Sequence, residues 1–429
     1  MSIYKKIISF AKSEAFATAG IYTFTNFFAK GVAFILLFVY SNPLYISVEE
    51  NGLLSLLSSS ILFLAPFVNL GALQSTSTDF FKLGKTEFKD YFTTSFVLPL
   101  LVTILSILIF YIFFGTFSKN FNFQKNFIWL IPVLVFLSFC SEQFITLVRN
   151  NNEPFRYLKL GIFRIIFDAG ISIGLVVFFA WRWQGRVAGI LLSQLVIALM
   201  AYFYFRKRGY LFGKIKKKYL KEEMVFALPI IVMQLSIFSL TASDKFFLAK
   251  YVDHHAVGVY GYACIFASVV NIFGTALMQY LLPKIYAFLS STTINYYAIK
   301  KHFIIFLGSN FAVFALIVLF TPLMYKYFIH ESYHPGLKYL YLIALGYFFW
   351  GITYFFYSFL LYHKQKRKIL SLALTGILIS LLSNWFFIKK YGELGAAFSV
   401  CFSYFVFLCV TIIFTSKFLR KMFASGKTD

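Results

Sequence analysis

FALPIIVMQLSIFSLTASDKFFLAKYVDHHAVGVYGYACIFASVVNIFGTALMQYLLPKIY, residues 226–286, decides the fold. A helix that crosses a bilayer needs about 20 mostly apolar residues. Two such runs fit inside this stretch, 226–249 and 257–281, separated only by a short polar segment around Asp253, His254 and His255. A surface helix of a soluble protein would carry a charged face along its whole length. The only charges within these two runs are Asp244 and Lys245.

Working outward, the same criterion finds runs at 17–40, 53–74, 92–115, 127–148, 157–180, 187–205, 303–325, 338–362, 369–388 and 394–416. The expected fold is therefore an all-α membrane protein with about twelve transmembrane helices. Composition agrees: 60% of residues are hydrophobic, 13% are charged, and mean hydropathy is +0.77. So few charges cannot coat a water-facing surface of this size. The 59 Phe and 29 Tyr are tolerated far better by lipid than by water. The N-terminal MSIYKKIISFAKSE reads as a short basic amphipathic stretch ahead of the first span rather than a cleavable leader. Cys140, Cys264, Cys401 and Cys409 lie in apolar runs at no metal-ligand spacing and read as reduced packing residues.

The net charge of +24 would suggest nucleic acid in a soluble protein. Here the loops hold most of it. With twelve spans, the loops on the side of the termini carry the clusters around Lys5, Lys82, Arg149, Arg206–Lys221, Lys300, Lys364 and Lys417. The other side has only scattered Lys and Arg, an asymmetry of roughly three to one. Basic residues favour the cytoplasmic side, so both termini are expected there. The longest loop, RKRGYLFGKIKKKYLKEEM at 206–224, falls between six spans and six spans. That suggests a duplicated unit: an N-terminal lobe at 1–206, a basic cytoplasmic linker at 207–224 and a C-terminal lobe at 225–429. Gln74 follows Gly52 at nearly the distance by which Gln279 follows Gly258, a thin echo of duplication.

Ionisable groups inside spans cost about 2.5–3.5 kcal/mol each and tend to face a cavity or a partner. Lys30 is near mid-bilayer in the first span, with Asn26 one turn earlier on the same face. Arg164 and Asp168, four apart, share a helical face and can neutralise each other or serve a substrate. Asp244 and Lys245 are adjacent, so they point apart on a helix and each is expected to need its own partner or water. Glu142 sits near a helix end, and Gln74 and Gln279 either line a cavity or bridge helices.

Signals for chemistry are missing. There is no Walker-type phosphate loop. His254 and His255 are adjacent rather than one turn apart, poor geometry for a helical metal site. No large extramembrane domain is present in which to build an active site. A transporter, not an enzyme, is expected.

From the seventh span on, the pattern resembles the polysaccharide-export and O-antigen flippase (Wzx-type) family, which shares its fold with the multidrug and toxic-compound extrusion (MATE) transporters. The matching residues are Leu228-Pro229, Asp244-Lys245 followed by Phe246-Phe247-Leu248, Gly258-Val259-Tyr260 and Leu282-Pro283. Glu49–Leu56 (EENGLLSL) matches more loosely, as do Asn384 and the segment from Tyr391 to Ala397 (YGELGAA). Lys245 is a departure, because the family often has Arg there; charge is kept while bidentate anion recognition is lost. The resemblance implies two six-helix lobes around a central cavity that opens alternately to each side. It also implies a lipid-linked oligosaccharide on polyprenyl pyrophosphate as substrate, carried from the cytoplasmic to the outer leaflet for O-antigen, capsule or other surface polysaccharide. Membrane lipid and other polysaccharide-assembly proteins are the implied partners, and nucleic acid is not one. No cofactor is expected beyond a coupling cation, proton or sodium. Two readings compete: a cation-coupled multidrug exporter of the same fold, which needs cavity carboxylates, and a membrane glycan polymerase, which needs a large outer loop.

Overall fold

The structure is a computed structural model, described for residues 21, 25, 28, 31–32, 34–121, 128–291 and 294–424. Residues 34–40 are helical, and from residue 48 on fourteen α-helices carry the chain among these residues. They are α1 (Val48–Asn69), α2 (Ala72–Lys82), α3 (Lys85–Thr94), α4 (Val97–Ile112), α5 (Phe114–Phe121), α6 (Leu130–Asn150), α7 (Pro154–Ile173), α8 (Arg182–Arg208), α9 (Lys217–Thr241), α10 (Asp244–Tyr251), α11 (His254–Ser290), α12 (Tyr296–Phe328), α13 (Leu337–Tyr362) and α14 (Lys366–Ala424). A π turn, Gly174–Phe178, ends α7, and a 3-10 segment, Glu331–Gly336, precedes α13. No strand occurs among the described residues.

Ten of these helical stretches are long and apolar enough to cross a membrane. The last of them, within α14, holds both runs expected at 369–388 and 394–416. It is broken at Gly392, whose φ of 58° only glycine adopts readily. Half of the run at 17–40 lies outside the described residues. Expected spans are interrupted in several places. The run 53–74 breaks at Leu70 and Gly71, both at positive φ. The run 226–249 breaks between Thr241 and Asp244.

The arrangement of exposed and buried residues is inverted relative to a water-soluble helix. In α4, Leu100, Leu101, Ile104, Leu105, Leu108 and Ile109 are exposed, while Thr103 and Ser106 are buried. In α12, Ile304, Ile305, Phe311, Leu319 and Leu323 face outward, while Asn310 and Thr321 are buried. Apolar-out, polar-in is the order lipid imposes, since hydroxyls and amides find partners only inside. The protein is thus a multi-pass helical membrane protein.

The chain packs as two units. Of the described residues, those before 48 and those within 63–231 form one; those within 48–62 and from 232 on form the other. In the first unit an aromatic core of Phe88, Phe92, Phe144, Phe205 and Tyr219 surrounds the end that carries the basic loop. The expected linker 207–224 is not a free connector there, because α9 begins at Lys217. The remaining loop is fastened to α3: Gly213 N donates to Thr93 Oγ1 (2.8 Å), Lys214 N to Asp90 Oδ1 (2.7 Å), and Lys216 Nζ lies 2.8 Å from Asp90 Oδ2. In the second unit, Met278, Ile285, Phe303, Phe306, Phe355 and Phe359 form the core between α11, α12 and α13. The start of α1 lies against the start of α11, with Gly52 and Gly258 as the points of approach. A Cβ on Gly258 would sit 2.1 Å from Val48 O, and one on Gly52 2.0 Å from His254 O.

Candidate functional site

The break between α9 and α10 creates a polar centre in the second unit. Thr241-Ala242-Ser243-Asp244 supplies small and hydroxyl residues that satisfy backbone groups locally rather than by continuing the helix. Ser243 Oγ bonds back to Ser239 O (2.5 Å), and both Ala242 N and Ser243 N reach Phe238 O, at 2.9 and 3.2 Å. Asp244 then opens α10, where a carboxylate suits the helix N-terminus.

Asp244 and Lys245 are both buried, 2% and 8% exposed, so neither charge is met by bulk solvent. Asp244 Oδ1 accepts from Lys245 N (2.9 Å) and lies 3.5 Å from Lys245 Nζ; Oδ2 accepts from the Tyr260 hydroxyl (2.5 Å). Lys245 Nζ also approaches Thr241 O at 3.4 Å. The two side chains, expected to point apart and find separate partners, therefore meet. They do so because the helix starts at Asp244, and the carboxylate folds over the first turn instead of projecting from a continuous helix.

A chain of hydroxyls continues from this pair into α14. Asn384 Nδ2 donates to Ser243 Oγ (2.9 Å), and its Oδ1 accepts from Ser399 Oγ (2.5 Å). Ser383 Oγ contacts Ser399 Oγ (2.7 Å) and Ser403 Oγ (2.9 Å), and Ser380 Oγ donates to Ser239 O. All of these residues are buried. Both halves of α14 contribute, Ser380, Ser383 and Asn384 before Gly392, Ser399 and Ser403 after it. The sequence reading picked out Asn384 but missed the serines; their one signal was spacing, since Ser380, Ser383 and Asn384 fall on one helical face, as do Ser399 and Ser403.

The first unit separates Arg164 from Asp168. Arg164 Nη1 lies 3.4 Å from Glu142 Oε1 of α6, whereas Asp168 Oδ1 lies 2.8 Å from Arg186 Nη1 of α8. Arg186 also donates to Ser172 Oγ (2.6 Å), and its guanidinium lies 5.8 Å from the Tyr40 ring centre. The expected pairing within α7 is thus replaced by ion pairs to the helix on either side. Arg186 was not a sequence candidate, because its run begins close to a loop. Gln74, at the start of α2, and Gln279, in α11, are not part of either cluster. Lys30 and Asn26 lie outside the described residues. Among those described, no three His, Cys, Asp or Glu side chains gather as a metal site would require.

The fold can be compared with solved structures. The lipid II flippase MurJ in an inward closed conformation matches with a TM-score of 0.71 at 15% identity, covering 92% of this chain and 87% of that one. The chain has a MATE-like fold. An inward-facing multidrug resistance MATE family transporter of the MOP superfamily matches at 0.65, with 14% identity over 91% of this chain and 96% of that one. The MATE multidrug transporter DinF-BH, in a complex, matches at 0.64, with 14% identity over 95% of this chain and 96% of that one. Neither a protein-family model nor a curated protein sequence matches. Backbone breaks at membrane depth are tolerated where protein groups satisfy them. Here the Ser243 and Ser380 hydroxyls both donate to Ser239 O.

Proposed function

We propose that this chain is a Wzx-type flippase. It would move an oligosaccharide linked to polyprenyl pyrophosphate from the cytoplasmic to the outer leaflet of a bacterial inner membrane by alternating access, with both termini and the basic loop cytoplasmic and with proton or sodium coupling. Its product would feed O-antigen, capsule or other surface polysaccharide. The observation that carries this reading is the pairing of in-span acids: Glu142 with Arg164, Asp168 with Arg186, Asp244 with Lys245. A carrier of cationic drugs needs a carboxylate whose charge is free to meet its cargo, and these three are already met. A pyrophosphate or an acidic sugar needs cations inside the membrane, and Arg164, Arg186 and Lys245 could exchange their carboxylate partners for it. The likeness to a lipid II flippase fold over most of the chain supports a lipid-linked cargo.

A multidrug exporter is the second reading, favoured by the likeness to MATE transporters. The deciding experiment measures lipid-linked glycan in each leaflet in cells with and without the protein. Trapping on the cytoplasmic side, released by re-expression, supports the flippase. An unchanged distribution together with loss of drug resistance supports the exporter.

A further inference from the structure

The first unit holds a carboxyl that the reading above does not use. Glu223 lies in the charged opening turns of α9, Lys217 to Glu223, ahead of the apolar run. Its neighbours Lys221 and Glu222 are exposed, but Glu223 is only 5% exposed. Tyr219, Glu223, Ala227 and Ile230 recur at four, four and three residues and so share one helical face. Two contacts show what that face meets. The Tyr219 ring packs edge-on against Tyr91 of α3, with centres 5.5 Å apart. Gly71, at the break before α2, is so close that a Cβ there would lie 2.8 Å from Ile230 Cδ1 and 3.8 Å from Ala227 Cα. Glu223 is thus enclosed between its own helix, the first turns of α2 and the middle of α3.

Within that enclosure three polar atoms are buried without a hydrogen-bond partner: Glu223 Oε1, Thr76 Oγ1 and Tyr91 Oη. Buried polar groups are nearly always paired, so an unpaired carboxyl beside the Tyr91 hydroxyl, itself next to Thr76, marks a place where a proton can be held. The titratable groups facing the place are few. Tyr91 comes from α3. Asp79 of α2 neighbours Tyr91 and is itself 3.8 Å from Lys82. From α6, the contact with Thr76 is the neutral amide of Asn150, 3.5 Å from Thr76 O. No Lys or Arg among the described residues pairs with Glu223, unlike the three acids within the spans.

We propose that Glu223 is a proton-binding site, enclosed with the Thr76 and Tyr91 hydroxyls between α2, α3 and α9. In a space without a counter-charge, the neutral acid is held far better than the carboxylate. Burial pushes its carboxyl up to about 8, inside the range a cell can reach. The protonated acid is neutral and so is held in this apolar enclosure, whereas the ionised form requires a cation or water to enter between α2 and α9. Proton uptake therefore favours the closed packing of α2 on α9, and release favours its opening. That this drives transport rests on the flippase reading; that the carboxyl titrates does not.

The test is infrared difference spectroscopy of the full chain in liposomes, titrated from about pH 6 to about pH 10. The wild type shows a carboxylic C=O band that is lost with a midpoint near 8, and Glu223→Gln lacks it. Tyr91→Phe, which withdraws a polar neighbour, moves the midpoint upward and serves as the control should the Gln variant fold poorly. A spectrum without such a band in this range, or a midpoint unmoved in Tyr91→Phe, overturns the proposal. In a leaflet assay, flattening of the pH profile by Glu223→Gln assigns the proton to transport, and an unaltered profile removes that role. If the carboxyl titrates but no lipid-linked glycan moves, the flippase reading falls and the site stands.

Discussion

At the scale of single residues, the buried Asp244–Lys245 pair sets the sharpest expectations. Removing one member of a buried pair leaves an uncompensated charge and costs about 3–5 kcal/mol, whereas replacing both with neutral groups of similar volume is far milder. Lys245→Ala is therefore expected to lower the thermal midpoint of the detergent-purified protein strongly. Lys245→Met combined with Asp244→Asn should recover most of the loss. A double variant no more stable than the single one would show that the pair is not the unit of stabilisation. Glu223 gives a pH dependence of known sign. Its carboxyl is raised from an ordinary 4.5 to about 8, so the folded state favours the protonated form. That contribution is complete below about pH 4.5 and is lost as pH rises through 8. Melting curves should shift downward across that window in the wild type and stay flatter in Glu223→Gln. At this scale the sequence was a partial guide. It marked Asp244, Lys245, Arg164 and Asp168 as costly and hence in need of partners. It could not say which partners, because Glu142, Arg186 and Tyr260 approach from other helices.

At the scale of elements, the glycine in the Gly258-Val259-Tyr260 motif acquires a physical meaning. The backbone of α11 touches that of α1 at Gly258, with Val48 O where a Cβ would stand. Tyr260, two residues on, carries the hydroxyl that holds Asp244. Gly258→Ala is expected to force α1 and α11 apart at a cost of about 1–3 kcal/mol, read as a lowered unfolding midpoint. The basic loop makes a second expectation. Its attachment to α3 runs through Asp90, which meets both Lys214 N and Lys216 Nζ. Asp90→Ala should release residues 209–216, and limited trypsin digestion in proteoliposomes should cut there many-fold faster than in the wild type. Equal cutting rates would mean that the backbone contacts to Thr93 and Thr94 suffice. Charge composition predicted a solvated connector; only the fold revealed hydrogen bonds, since a Thr-Thr pair more than a hundred residues earlier leaves no mark in the loop's own sequence.

At the scale of the whole molecule, the clustering of Lys and Arg on alternate loops predicts sidedness. Lys217→Cys, by the basic loop, should react with a membrane-impermeant maleimide only after cells are opened. Lys338→Cys, at the start of α13, should react in intact cells once the outer membrane is permeabilised. The opposite pattern would invert the topology and place Glu223 at the outer rather than the cytoplasmic end.

The sequence alone determined that this chain is a bundle of membrane helices, because partition into lipid is a property of each apolar run by itself. It also singled out the charges that could not stay alone, while its expected boundary at the basic loop differs from the packed units, which divide at 231 and place residues 48–62 with the second unit. Tertiary structure decided how those charges are satisfied. Where α9 breaks, how α14 turns at Gly392, and which acid meets which base all depend on side chains brought together from distant positions. Pairing energy exists only once the helices pack, so no local pattern in the sequence could encode it visibly.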